Sequence, residues 1–132
     1  MNIAITGTGS AVPNGRPVTN AELVRYGYLH MSPKEIEDMT GVAQRHMTSK
    51  NPYLPTTTLA AIASERAIAN SCLSPEMIDY IIFATMTPDS PSPQATNLQL
   101  AIGAKNAVVD TIEAACAGFV RALFHGLNMI LA

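Results

Sequence analysis

The chain has 132 residues, enough for one hydrophobic core, and combines 48% hydrophobic with only 14% charged residues, against about 25% charged in an ordinary soluble domain. Its net charge of −2 leaves no basic stripe for a nucleic acid. No apolar run reaches the ~20 residues that span a bilayer, and the N-terminus lacks the basic-then-apolar pattern of a secretory signal. Two cysteines, Cys72 and Cys116, form neither a disulfide framework nor a metal-ligand set, and point to a reducing, cytoplasmic setting.

Strand and helix signals alternate along the chain, the mark of an α/β layer with mostly parallel strands in one domain over 1–132. Residues 2–6 read as the first strand. Gly7-Thr8-Gly9 follows it, but no third glycine opens a helix and Pro13 intrudes, so a nucleotide loop is not indicated. Thr19 and Glu22 have the spacing of a capping box, with Thr19 as N-cap of a short helix to about Tyr26. Ser32 and Pro33 open a second helix as N-cap and first residue. A third, from Thr58 to about Ser71, carries Leu59, Ile62, Ala63 and Ala67 on one face. Ser74-Pro75 starts a short helical turn before an apolar strand over 80–85. The proline-rich stretch 87–93 can be neither helix nor central strand. A helix from Gln94 to Ile102 stops on Gly103, and a β-branched strand over 106–112 follows. From Ala117 the spacing of Phe119, Val120, Leu123, Phe124, Leu127 and Ile130 is helical to the end.

Cys116 falls where that last strand hands over to the last helix. The position sits at the positive end of a helix dipole, beside free backbone N–H groups, and favours the thiolate that attacks carbonyls. Ala114, Ala115, Ala117 and Gly118 leave room around the sulfur. The bland alternative is a buried structural cysteine, common for a lone thiol. Each of His30, His46 and His125 reads as a surface or core-edge residue. His125, nine residues past Cys116, lies roughly 13 Å along the helix from the thiol.

The segment Asp110-Thr111-Ile112-Glu113-Ala114-Ala115-Cys116-Ala117-Gly118-Phe119 resembles the nucleophile segment of type III ketoacyl-ACP synthases in the thiolase superfamily, with Asp110 one position further from the thiol than in their pattern. Other stretches resemble the same family in the same order: Ile5-Thr6-Gly7-Thr8-Gly9, Thr19-Asn20-Ala21-Glu22-Leu23, Thr40-Gly41-Val42-Ala43-Gln44-Arg45, Ile81 to Thr87, and Gly103-Ala104. The resemblance implies a thiolase-like α/β fold, its N-terminal half, with the nucleophile at a strand-to-helix turn. It also implies an acyltransferase of fatty-acid type in which Cys116 accepts an acyl group. A decarboxylative condensation with a malonyl carrier would follow, using a His and an Asn from a second half that this chain lacks. By resemblance Thr40, Arg45, Ser92 and Phe119 contribute to substrate binding, the partner is an acyl-carrier protein or acyl-CoA, and strand 106–111 pairs with its copy in a homodimer. No metal or redox cofactor is implied.

Departures from the family pattern bear on the substrate. Glu35 and Met39 stand where a Trp and an Arg would hold the adenine of CoA, and only Thr40 is retained, which favours a carrier-protein thioester or an unusual donor. Ser92 occupies the place of a bulky Phe in the loop that lines the acyl pocket, implying a roomier pocket. Glu113 is expected to point away from the thiol or to pair with a base, since a buried anion there would oppose the thiolate. The sparse charge and the apolar ending Met129-Ile130-Leu131-Ala132 suggest an N-terminal piece or one partner of a split enzyme. Alternative readings are a relative that transfers acyl groups without condensation, or a non-enzymatic module that binds a partner through its apolar face.

Overall fold

The computed structural model describes residues 3–48, 54–91 and 93–132. They form two compact units, one of Val12–Leu54 and one of Met1–Ala11 with Pro55–Ala132.

The Val12–Leu54 unit pairs β1 (Val18–Thr19) antiparallel with β2 (Gln44–Arg45) and holds two helices, α1 (Asn20–Arg25) and α2 (Pro33–Thr40). Both helices start on complete capping boxes. Thr19 accepts the Glu22 N–H while the Glu22 carboxylate accepts the Thr19 N–H, and Ser32 and Glu35 repeat the exchange. Each box satisfies two of the donors that a helix start leaves open. α2 ends on Gly41 at φ +69°, the left-handed conformation that glycine adopts without strain. Leu23 and Ile36 are buried at its centre, and buried Asn20 donates from Nδ2 to the carbonyls of Val42 (2.8 Å) and Pro33 (3.3 Å), tying the helices to the β2 strap.

The other unit is built on β3 (Tyr80–Ala84) and β4 (Val108–Ile112), a parallel pair in the register Tyr80↔Val108 through Ala84↔Ile112. Parallel neighbours need a crossover, supplied here by α4 (Gln94–Ile102). Ile81 and Phe83 face one side of the pair and join Ala95, Leu98, Ile102, Ala104 and Ala107 in the core, with Ala60, Ala61 and Ile68 of α3 (Thr56–Ser71) against them. The opposite side, with Ile82 and Ala84, receives α5 (Gly118–Leu131). Helices on both sides explain why β3 reads as an unbroken apolar run. α4 ends on Gly103 at φ +75°, and a single 3₁₀ turn, Pro75–Met77, leads into β3.

Four expectations change. β4 begins at Val108 rather than at 106, and β3 ends at Ala84 rather than at 85. α3 starts at Thr56, two residues before Thr58. Of the expected first strand 2–6, Asn2 lies outside the described residues, and 3–6 join no ladder among them. The segment runs instead along α3: Asn70 donates to the Thr8 carbonyl (2.9 Å) and Arg66 to that of Ser10 (2.5 Å). A Cβ at Gly7 or Gly9 would overlap the carbonyl oxygens of Ala67 and Ala63, so these glycines serve a close backbone approach.

Candidate functional site

β4 ends at Ile112, and the chain turns through Glu113 and Ala114 into a 3₁₀ turn, Ala115–Ala117, that merges with α5 at Gly118. Cys116 sits in that elbow with its thiol exposed. The residue before it, Ala115, has φ +42°, a conformation an L-residue with a Cβ adopts at a cost of about 1 kcal/mol or more. Backbone strain of this kind gathers at functional sites, where it aims a side chain. Glu113 is exposed, and no ion pair of its carboxylate occurs among the described residues.

The N–H groups beside the thiol are partly committed. Ala117 donates to the Ala114 carbonyl (2.9 Å) and Gly118 to that of Ala115, because the 3₁₀ turn closes its own bonds before α5 begins. The sequence expectation of freely available N–H groups is corrected for these two positions.

Beside the elbow lies an open cleft of about 590 Å³ whose wall includes Ile82, Ala84, Met86, Ala115, Phe119 and Leu123. Its lining among the described residues is mainly apolar, with Thr85 as the one polar side chain. Two glycines let α5 approach the sheet here. A Cβ at Gly118 would lie 3.4 Å from that of Ala84, and one at Gly126 would lie 3.5 Å from Ile82 Cδ1. With small residues turned to the sheet, the large apolar side chains of α5, Phe119, Val120, Leu123 and Phe124 among them, stand more than half exposed.

Cys116 and Phe119 thus share one elbow and one unit. Thr40 and Arg45 belong to the Val12–Leu54 unit. Thr40 closes α2, its hydroxyl donating to the Ile36 carbonyl (2.6 Å) and accepting the Val42 N–H (3.1 Å). Arg45 is half-buried on β2, and its Nη1 is buried with no hydrogen-bond partner among the described residues. Ser92 lies outside the described residues. Glu35 is engaged by Ser32, whose hydrogen bonds hold its carboxyl below the usual carboxylate range, and Met39 is 74% exposed. His125 faces Asp110 (Nδ1 to Oδ2 3.7 Å) and stacks at a tilt on Tyr80, ring centres 5.9 Å apart. No group of three or more metal-ligating side chains occurs among the described residues.

Sequence reasoning missed Asp89 and Gln94. Gln94 is 1% exposed, with Oε1 accepting the Asp89 N–H (3.1 Å) and Nε2 donating to the Ser90 carbonyl (3.2 Å). A polar residue after two prolines carries no local signal of burial.

No protein-family profile matches the chain. It is 39% identical over 124 residues to a beta-ketoacyl-[acyl-carrier-protein] synthase III of Erythrobacter litoralis, covering 93% of this chain and 37% of that protein. With the synthase III of a Nostoc strain it shares 41% identity over 130 residues, 98% of this chain and 38% of the relative. Among solved structures, 3-oxoacyl-[acyl-carrier-protein] synthase III of Aquifex aeolicus superposes with a TM-score of 0.85 at 33% identity, over 96% of this chain and 39% of that one. The priming beta-ketosynthase of the R1128 polyketide pathway gives 0.79 at 30%, over 90% and 34%. The chain therefore spans about two-fifths of the length of the relatives it matches.

Proposed function

This chain corresponds in sequence and in its thiolase-like fold to the N-terminal part of the type III 3-oxoacyl-[acyl-carrier-protein] synthases, and from that premise we propose that Cys116 is the residue that accepts an acyl group from a thioester. The Cys116 thiolate attacks the thioester carbonyl carbon, and the carbonyl π electrons move to oxygen. The resulting tetrahedral oxyanion collapses with loss of the donor thiolate, which takes up a proton, leaving an acyl group on Sγ. The backbone N–H of Cys116 is the donor for that oxyanion. Its neighbours are spent, as Ala117 and Gly118 close the 3₁₀ turn.

The observation that carries this reading is the strained Ala115 at φ +42°, immediately before an exposed thiol, beside an apolar cleft. A merely structural cysteine has no use for such strain. The cleft fits a hydrocarbon chain, and Phe119 at its rim contributes to holding it. The donor is read as a carrier-protein thioester, because Glu35 is used by the Ser32 capping box and the exposed Met39 offers no stacking or ionic partner for an adenine. Thr40, Arg45 and Ser92 complete substrate binding in this reading.

Decarboxylative condensation with a malonyl carrier then draws on a His and an Asn that the family's second half supplies. Residues 1–132 make the N-terminal thiolase-like half, with the free edge of β4 pairing to its copy in a homodimer acting in the cytoplasm. No helix among the described residues is long and apolar enough to cross a membrane.

The test is intact-mass analysis after incubation with an acyl-carrier-protein thioester. One acyl addition is expected, absent in Cys116→Ala, and the 132-residue chain alone should form no product with a malonyl thioester. An adduct that survives Cys116→Ala, or no adduct at all, sinks the reading.

A further inference from the structure

α3 opens behind Pro55, which has no side-chain acceptor, so its first N–H groups lack a local cap. The cap arrives from the loop after β3. One carboxylate oxygen of Asp89 accepts the Thr56 N–H at 2.6 Å, and the other accepts the Thr57 N–H at 2.7 Å and the Thr57 hydroxyl at 2.6 Å. Thr56 Oγ1 donates to the Thr87 carbonyl at 2.8 Å. Buried Gln94 braces the arrangement, with Oε1 3.0 Å from Thr57 Oγ1 and accepting the Asp89 N–H. A carboxylate at a helix N-terminus also has the favourable sign for the dipole.

The same loop begins with Thr85 and Met86, both in the wall of the cleft beside the Cys116 elbow. The Thr85 N–H donates to the Ile112 carbonyl at 3.1 Å, extending the β3–β4 ladder, and the Thr87 N–H closes on Thr85 Oγ1 at 3.1 Å. Met86 is 58% exposed, so little packing holds it. Its place follows from two anchors, the ladder bond before it and the Asp89 cap after it.

We infer that Asp89 is a positioning residue for this cleft: by capping α3 it fixes the Thr85–Met86 wall and thereby selects which apolar groups reach Cys116. That the selected group is an acyl chain rests on the function proposed above; the clamp itself does not. Asp89 touches neither the thiol nor its substrate in this role and acts through the loop alone.

The test treats the full chain with N-ethylmaleimide and N-octylmaleimide and quantifies adducts on Cys116 and Cys72 separately by peptide mass spectrometry. Cys72, exposed at the C-terminal end of α3, is the reference thiol. In the wild type the octyl-to-ethyl rate ratio should be several-fold higher at Cys116 than at Cys72. Asp89→Ala should bring the two ratios together, with Asp89→Asn, which keeps one acceptor oxygen, in between. Hydrogen exchange at the amides of Thr56, Thr57, Thr85 and Thr87 should rise about tenfold in Asp89→Ala, the loss of one good cap, while circular dichroism stays that of a folded chain. An Asp89→Ala protein with unchanged exchange, or with faster exchange and an undiminished Cys116 ratio, overturns the proposal. If wild-type Cys116 shows no octyl preference, the acyl reading of the cleft fails, and positioning stands or falls on exchange at Thr85 and Thr87.

Discussion

Gly118 on α5 faces Ala84 on β3 so closely that a Cβ at 118 would come to 3.4 Å from that of Ala84. Gly126, about two turns on, stands in the same relation to Ile82. Ala122 lies between them and faces the cleft. This line of small residues lets the helix lie close on the sheet and brings the Cys116 elbow against the end of β3.

Gly118→Ala should be tolerated, since 3.4 Å is an ordinary contact and alanine favours helix; the change in stability should stay within about 1 kcal/mol. Gly118→Val puts two methyls beyond a Cβ that already touches Ala84, within a helix, and should cost about 1–3 kcal/mol while altering alkylation of Cys116. Urea unfolding midpoints and thiol-labelling rates check both. Equal midpoints for the two variants would show that α5 does not pack as described.

Ala115 carries its strain in a single residue, so the expected effects are opposed in sign. Ala115→Gly removes a cost of about 1–2 kcal/mol but adds chain entropy of about 0.5–1 kcal/mol to the unfolded state, for a net gain of about 0–1.5 kcal/mol. Ala115→Val, β-branched at positive φ, should lose about 2 kcal/mol or more. Denaturant titration of the three proteins decides, and a destabilised Ala115→Gly would argue against strain at this position.

Gln94 is the most completely buried large side chain described, and its amide serves the Asp89 N–H, the Thr57 hydroxyl and the Ser90 carbonyl. Gln94→Ala should cost on the order of 2–3 kcal/mol, more than its modest apolar content explains, because it strands buried polar groups. Gln94→Glu should not recover the loss at neutral pH, because its carboxylate would be buried beside that of Asp89 and cannot donate to the Ser90 carbonyl. Chemical denaturation of the pair reads this out.

Glu22 gives the Val12–Leu54 unit an acid-sensitive element. A hydrogen bond from Arg16, then those from the Thr19 backbone and hydroxyl, hold its carboxyl down from 4.5 to about 2. A carboxyl depressed in the folded state stabilises it above the unfolded pKa, and the contribution is lost as pH falls from about 4.5 toward 2. Glu35, held down by Ser32, has the same sign. The thermal midpoint should therefore fall through this window, and Glu22→Gln should flatten part of the fall. An identical pH profile in Glu22→Gln would rule out the assignment.

Local chemistry made much of the molecule legible. Thr19 with Glu22, Ser32 with Pro33, and Gly103 after Ile102 announce helix ends because each signal lies within one turn of its element. The β-branched run into a cysteine among small residues announced the elbow for the same reason. The start of α3 carries no local signal because its cap, Asp89, lies more than thirty positions along the chain. Residues 3–6 look like a strand by composition, yet a strand exists only through a partner's hydrogen bonds, and none of the described residues provides one.

What the sequence determined by itself is the order of elements, their caps, the family likeness and the nucleophile candidate, all carried by residues near one another in the chain. The tertiary structure alone decided that Ala115 takes a positive φ before the thiol and that small rather than large residues of α5 meet the sheet. It also decided that Asp89 caps the start of α3 and that Gln94 braces this cap. Those features depend on atoms brought together across 30 or so residues, and the free energy of such contacts is set by geometry that no local pattern encodes.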